Sequence, residues 1–192
     1  MNFVYLKEEE KVEIQPWHKG YNEKPIDFRN RVEVCEWCRQ MHKYRAEKNR
    51  VSVIDRFTIG FYQLGYIPPL LNNYNHYEFC EAVASAFIHI VASVENCGIS
   101  CCYSVNMLVE PKGSSTVIYN NLLSDLPLLA RQIYYYGKKR ENRYNKNDLE
   151  KLSSVIIRQL IKLNNSKNIK LHFSESLMLA IAKVDALEFK TH

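Results

Sequence analysis

Glycine and proline are scarce, six of each in 192 residues, and almost no stretch alternates apolar with polar residues. The first shortage excludes collagen-like and low-complexity chains, and the second argues against a sheet. Equally missing are a glycine-rich loop to cradle phosphates, a G-x-S-x-G nucleophile elbow and an H-E-x-x-H zinc helix. Their absence removes the usual signatures of P-loop nucleotide enzymes, α/β-hydrolases and zinc proteases. No apolar segment opens the chain, which begins "MNFVYLKEEEKVEIQ". The longest apolar run, "AVASAFIHIVASV", is too short and too polar for a bilayer crossing. The expectation is a cytoplasmic protein with no membrane association and with six reduced cysteines. Excess charge is small as well: 26 Lys and Arg against 21 Asp and Glu give a net +5 and a pI near 8.8. That suits an anionic ligand but does not by itself imply nucleic acid.

What the chain does have is 46% hydrophobic residues in helical spacing. After a loop-rich lead-in of about thirty residues, apolar positions recur with the 3.6-residue period over 27–48, 51–64, 76–96, 102–109, 116–137, 147–164 and 173–187. Breaks fall at "GYIPPLLNN", "EPKGSS" and "GKKRENRYNKN". The reading is a single all-α domain, a helical bundle over residues 1–192. Two segments, 27–109 and 116–187, resemble one another weakly. "CRQMHKYRAEK" is similar to "ARQIYYYGKKR", setting Arg39-Gln40 on Arg131-Gln132, and "EAVASAFIHIV" is similar to "EKLSSVIIRQL", setting Glu81 on Glu150 and Ser85 on Ser154. A helical pair burying its face against its own copy would produce such a pattern.

Chemistry concentrates in "VEVCEWCRQMHKYR", residues 32–45. At about 100° per residue, Val34, Trp37, Met41 and Tyr44 form an apolar face, with Glu33 and Glu36 along one edge and Cys35, Cys38 and His42 near the other. The thiol edge offers three zinc ligands, to which Cys80 or His76 could add a fourth; buried free cysteines are the simpler alternative. The E-x-x-E edge suits Mg²⁺ or Mn²⁺ if a second helix brings carboxylates; a solvated helix face is the simpler alternative. The helix "YEFCEAVASAFIHIVASVENCGI" is the candidate partner. It is apolar around most of its circumference and carries one polar stripe of Glu78, Glu81, Ser85 and His89. Cys101 and Cys102 read as core or helix-start residues rather than a redox pair.

These segments resemble the MazG-like all-α nucleoside triphosphate pyrophosphohydrolases over about residues 16–109. "WHKGYNEKPIDFRNRVEVCEWCRQMHKYR" is similar to the family's lead-in and E-x-x-E helix, and "AFIHIVASVENCGI" to its second helix. The resemblance implies metal-activated water attacking a triphosphate and releasing pyrophosphate, with Glu33, Glu36, Glu78 and Glu81 holding Mg²⁺ or Mn²⁺ and serving catalysis. It further implies nucleotide contacts from His89, Arg39 and Lys43, and a homo-oligomer or an internal pseudo-dimer. The chain departs from the pattern. Ala82 and Ser85 occupy the places of the second helix's Glu and Asp, with Glu78 and Glu81 one turn earlier. In the second segment Lys151, Ser154 and Leu128 stand where carboxylates would be.

Two other readings stay open. One is a structural or interaction protein on the same scaffold, binding a protein partner without catalysis. The other, less favoured, is nucleic-acid binding through "RQIYYYGKKRENRYNK", where Arg131, Lys138, Lys139, Arg140, Arg143 and Lys146 interleave with Tyr134, Tyr135, Tyr136 and Tyr144.

Overall fold

The computed structural model describes residues 27, 29–72, 76–105, 109–140, 142–167 and 173–189, with the backbone path alone for 44–49 and 182–189. The expected loop-rich lead-in lies outside them, as does the side chain of Tyr44. The described residues are all-helical, with no strand among them. Seven helices follow in order: α1 Arg31–Asn49, α2 Val53–Leu64, α3 Ile67–Leu71, α4 His76–Glu95, α5 Ser115–Gly137, α6 Lys146–Asn165 and α7 Phe173–Phe189.

Helix α4 is the centre of the bundle and packs against α1, α2, α3, α6 and α7. Fourteen of its residues are buried, in a near-continuous run from Phe79 to Val94. By length and composition α4 would pass for a membrane-crossing helix, further than its apolar run suggested, yet 78% of that window is covered by the rest of the protein. A helix apolar all round is stable only when enclosed, and here the other helices enclose it.

Local chemistry fixes the helix ends. Asn30 caps α1, its side-chain oxygen accepting from the Val32 amide (3.1 Å). Ser52 and Asp55 form a reciprocal capping box at α2, which satisfies donors the helix itself cannot pair. At the far end of α4, Gly98 takes a left-handed φ of 79°, its amide donates to the Glu95 carbonyl, and the Ile99 amide donates to the Val94 carbonyl. This glycine-closed turn stops the helix and sends the chain back toward α1.

Two expectations need correction. The expected helix at 102–109 is not seen in its described residues: 101–105 make a single turn, with the Ser104 and Val105 amides donating to the Cys101 carbonyl, and 106–108 lie outside the described residues. Conversely the expected break "GYIPPLLNN" contains α3, because Pro68 and Pro69 fall in its first turn, where a missing N–H costs nothing.

Among the helices matched in sequence, α1 packs on α4 and α5 on α6, and α4 also packs on α2 and α6. In the second pair the Asn145 amide donates to Gln132 Oε1 (3.0 Å), Gln159 Nε2 to Asp125 Oδ2 (3.0 Å), and Ser115 meets Ser166 (2.8 Å), so α5 and α6 run antiparallel. The aligned glutamines do different work: Gln132 ties the α5–α6 link, whereas Gln40 bonds to Glu36 within α1.

Helix α2 comes close to α4 at Gly60. A Cβ there would lie 3.0 Å from Ile90 Cγ1 and 3.1 Å from His89 Cβ. Ser93 Oγ donates to the Val53 carbonyl (2.7 Å) farther along the same contact. Gly60→Val is expected to wedge α2 from α4 and destabilise the protein by about 1–3 kcal/mol, measured as a lower midpoint of urea unfolding.

Candidate functional site

Glu33, the first of the four glutamates expected to hold metal, is engaged at the start of α1. Its carboxylate accepts from the Asp27 amide and from Asn30 Nδ2, both at 2.9 Å. It stands where a carboxylate favours a helix N-terminus. Glu36, one turn on, accepts from Arg39 Nε (2.7 Å) and Gln40 Nε2 (2.6 Å), and forms an ion pair with Arg39. Partial burial works against its charge, but the bonds from Arg39 and Gln40 and the charges of Arg39 and Lys43 together hold its pKa below the usual carboxylate range. Arg39 and Lys43, expected to contact nucleotide, thus stand on the Glu36 side of α1, with Lys43 exposed.

Glu78 and Glu81 are not brought to this place. Both lie at the start of α4, Glu78 in its exposed first turn and Glu81 partly covered. The end of α4 that meets Glu36 is the other one: Asn96 Nδ2 reaches the Arg39 carbonyl (3.3 Å), and Glu95 feels the charges of Glu36 and Arg39. At 1.5 Å per residue Glu78 and Glu81 lie about 20–25 Å from Glu95 along the helix axis. The register of α1 against α4 therefore separates the two carboxylate pairs. His89 is buried on α4, with Nδ1 3.4 Å from Nη1 of the fully buried Arg56 of α2.

What gathers beside Glu36 instead is a group of thiols around Glu95. Cys35 Sγ, Cys102 Sγ and a Glu95 carboxylate oxygen all lie within 4.8 Å of one another. The Cys101 amide donates to Glu95 Oε1 (2.6 Å), and Ser100 Oγ donates to Cys102 Sγ (3.3 Å). Cys38 and Cys101 are close enough for electrostatic coupling to the same group. All six cysteines are free thiols. Burial pushes Cys35, Cys38 and Cys101 far up, and Cys97, which lacks these neighbours, up to about 12. Burial also raises Glu95, against the pull of the Cys101 amide and Arg39.

The residues weighed as zinc ligands in the sequence are not all brought together. Cys35 takes part in a cluster, but His42 faces Arg56, and His76 and Cys80 belong to the opposite end of α4. Glu95 and the Cys101-Cys102 pair were not read as candidates. Glu95 follows an apolar run like any helix-end glutamate, and Cys101-Cys102 matter only because the turn at Gly98 folds them back.

A concave feature lies beside residues 99–105, the turn that follows α4. Ser100, Tyr103 and Ser104 face Asn147, Glu150, Lys151, Ser154, Val155 and Arg158 of α6 across a groove of about 710 Å³. Lys151, Ser154, Val155 and Arg158 share one helical stripe by their spacing. Tyr103 is 84% exposed, with the Arg31 guanidinium 5.9 Å from its ring centroid. A shallower basic hollow of about 490 Å³ is formed by Lys139, Arg140, Asn142 and Arg143. There Arg140 covers Tyr134 at 5.8 Å, while Tyr136 meets Tyr144 edge to face and Tyr144 packs against the core.

No protein-family profile, curated protein or solved structure matches this chain.

His42 supplies a test of this interior. It is 5% exposed, and its Nδ1 has no hydrogen-bond partner among the described residues. Burial, with the nearby Arg56 charge, lowers its pKa to about 4. Unfolded, the imidazole titrates near ~6.5. Its contribution to stability is therefore complete above that value and is lost as pH falls toward about 4, because the unfolded chain takes up a proton the fold refuses. Urea midpoints across this window should fall with pH. The fall should be shallower in His42→Gln; an unchanged slope would place the acid sensitivity elsewhere.

Proposed function

We propose that the protein binds a nucleotide or related organic phosphate directly, without the metal-dependent hydrolysis that the MazG-like resemblance implies. The observation that carries this reading is the groove between the 99–105 turn and α6, lined by Lys151, Arg158 and three serines beside the exposed Tyr103. Ammonium and guanidinium groups recognise phosphate oxygens, serine hydroxyls donate to them, and an exposed tyrosine face can stack on a base. Lys151 and Ser154 occupy positions where the resemblance would place carboxylates. A cation in that place attracts phosphate itself rather than through Mg²⁺. Glu150, on the same wall, suits a sugar hydroxyl better than a phosphate.

Separation of Glu33 and Glu36 from Glu78 and Glu81 supports the non-hydrolytic half of the proposal. Charge neutralisation and water activation need the carboxylates around the same ions. The Arg39 ion pair further commits Glu36 within its own helix.

Titration calorimetry with a panel of ribo- and deoxyribonucleoside triphosphates, in chelator and again in Mg²⁺, tests the proposal. Binding should persist in chelator and weaken with salt. It should fall by about tenfold or more in Lys151→Ala or Arg158→Ala, the loss expected for a charged contact. Glu33→Gln with Glu36→Gln should leave it unchanged. Pyrophosphate release that requires Mg²⁺ and vanishes in the double glutamate variant would overturn the proposal in favour of a hydrolase.

A protein-binding role is the second reading, and a specific surface favours it. Phe61, Tyr62 and Tyr66, around the end of α2, are 48%, 63% and 48% exposed, with the Tyr66 hydroxyl 2.7 Å from that of Tyr62. Large exposed aromatics suit an interface with another protein or a second copy of the chain.

A further inference from the structure

The geometry points to a thiophilic divalent cation site, best suited to Zn²⁺, in which Cys35, Cys102 and Glu95 are ligands and Cys38 or Cys101 completes the set. Three separate segments supply the donors: α1 gives Cys35, the last residue of α4 gives Glu95, and the turn that follows gives Cys102. Tetrahedral zinc with sulfur at about 2.3 Å and oxygen at about 2.0–2.2 Å needs ligand atoms roughly 3.5–3.8 Å apart. The three donor atoms lie within 4.8 Å, so side-chain adjustment of about an ångström closes them on an ion. Two thiolates and a carboxylate select zinc over Mg²⁺ or Mn²⁺, whose preference is for oxygen alone.

The surroundings suit a charged site better than a plain apolar cluster. Ser100 Oγ donates to Cys102 Sγ, as an outer-shell hydroxyl does to a coordinated thiolate. The Cys101 amide fixes one oxygen of Glu95, orienting the carboxylate. Arg39 lies near enough to Glu95 to offset the negative charge that two or three thiolates and a carboxylate leave on one dication. Burial that disfavours lone thiolates is answered by the ion's own charge, so loading should release protons and weaken at low pH. A bound ion would cross-link α1 to the end of α4 and to the 99–105 turn. It would thereby hold one wall of the groove, although the site stands on its own observations and does not depend on nucleotide binding.

The full chain, produced in zinc-supplemented medium and purified in reductant without chelator, should carry stoichiometric zinc by mass spectrometry. Replacement by Co²⁺ should give a thiolate-to-cobalt charge-transfer band and tetrahedral ligand-field absorption. Cys102→Ser alters a half-buried position and should fold, yet lower zinc affinity by about tenfold or more and weaken the charge-transfer band. Glu95→Gln, of unchanged shape, provides a second variant with the same expected loss of affinity. Cys97→Ser, outside the cluster, should retain zinc. Metal-free protein whose cobalt complex lacks the thiolate band would overturn the inference and leave a thiol packing cluster. A Cys35–Cys102 disulfide found in peptide maps of protein that takes up no zinc after reduction would overturn it too, in favour of a redox pair.

Discussion

Helix α4 has almost no face to give to water, and the arrangement of the other helices follows from covering it. Phe79, Phe87, Ile88, Ile90 and Val94 are all completely buried although they point in several directions around the axis. One neighbour cannot enclose such a helix. At roughly 25 cal/mol per Å² of apolar surface removed from water, the driving force favours wrapping it on every side. Helix α2 can approach α4 closely because Gly60 has no side chain where the two helices meet. Helix α7 brings Phe173 to Phe87 with ring centroids 4.9 Å apart. Within this apolar centre the buried polar groups are few, Arg56 of α2 against His89 and Ser93 bonded to the Val53 carbonyl, and the carboxylates Glu78, Glu81 and Glu95 fall at the ends of α4.

The two ends are not alike. At its start, Glu78 faces solvent in the first turn, where an acidic side chain complements the helix dipole. At its finish, Glu95 is partly buried among thiols because the glycine-closed turn at Gly98 doubles the chain back over it. A carboxylate at a helix C-terminus meets partial negative charge from unpaired carbonyls, and burial adds to the penalty. The Cys101 amide and the Arg39 charge offset part of this cost. Glu95 is thus held in an environment that would become favourable with positive charge nearby.

Much of the architecture was legible in spacing alone. The period of apolar residues located α1, α2, α4, α5, α6 and α7 within a few residues, since each buries a stripe whose pattern survives in the sequence. The circumference of α4 also announced a central helix. Less legible were features set by single residues. Pro68 and Pro69 read as punctuation yet begin α3, and Gly98 reads as one glycine among few yet decides where Cys101 and Cys102 go. The partner of the opening glutamates was illegible for a different reason. Amphipathic pattern says which face of a helix is buried, but not how far one helix slides along another. Glu78 and Glu81 were attractive because they sit on the right helix, whereas register selected Glu95.

A metal-dependent hydrolase needs carboxylates converging from two helices, and convergence is a property of register more than of composition. Here α1 and α4 bring together one carboxylate pair whose partners are already chosen: Glu36 with Arg39 and Gln40, Glu95 with the Cys101 amide. Recruiting either for Mg²⁺ would break those bonds, and the ligands nearest to hand would be sulfur, which Mg²⁺ does not favour. Helices of the same kind, slid past one another by several turns, present different ligand chemistry. A hard-metal hydrolytic centre and a thiol-rich junction between α1, α4 and the 99–105 turn are alternative outcomes of the same packing problem, and the observed register places the second set of side chains together.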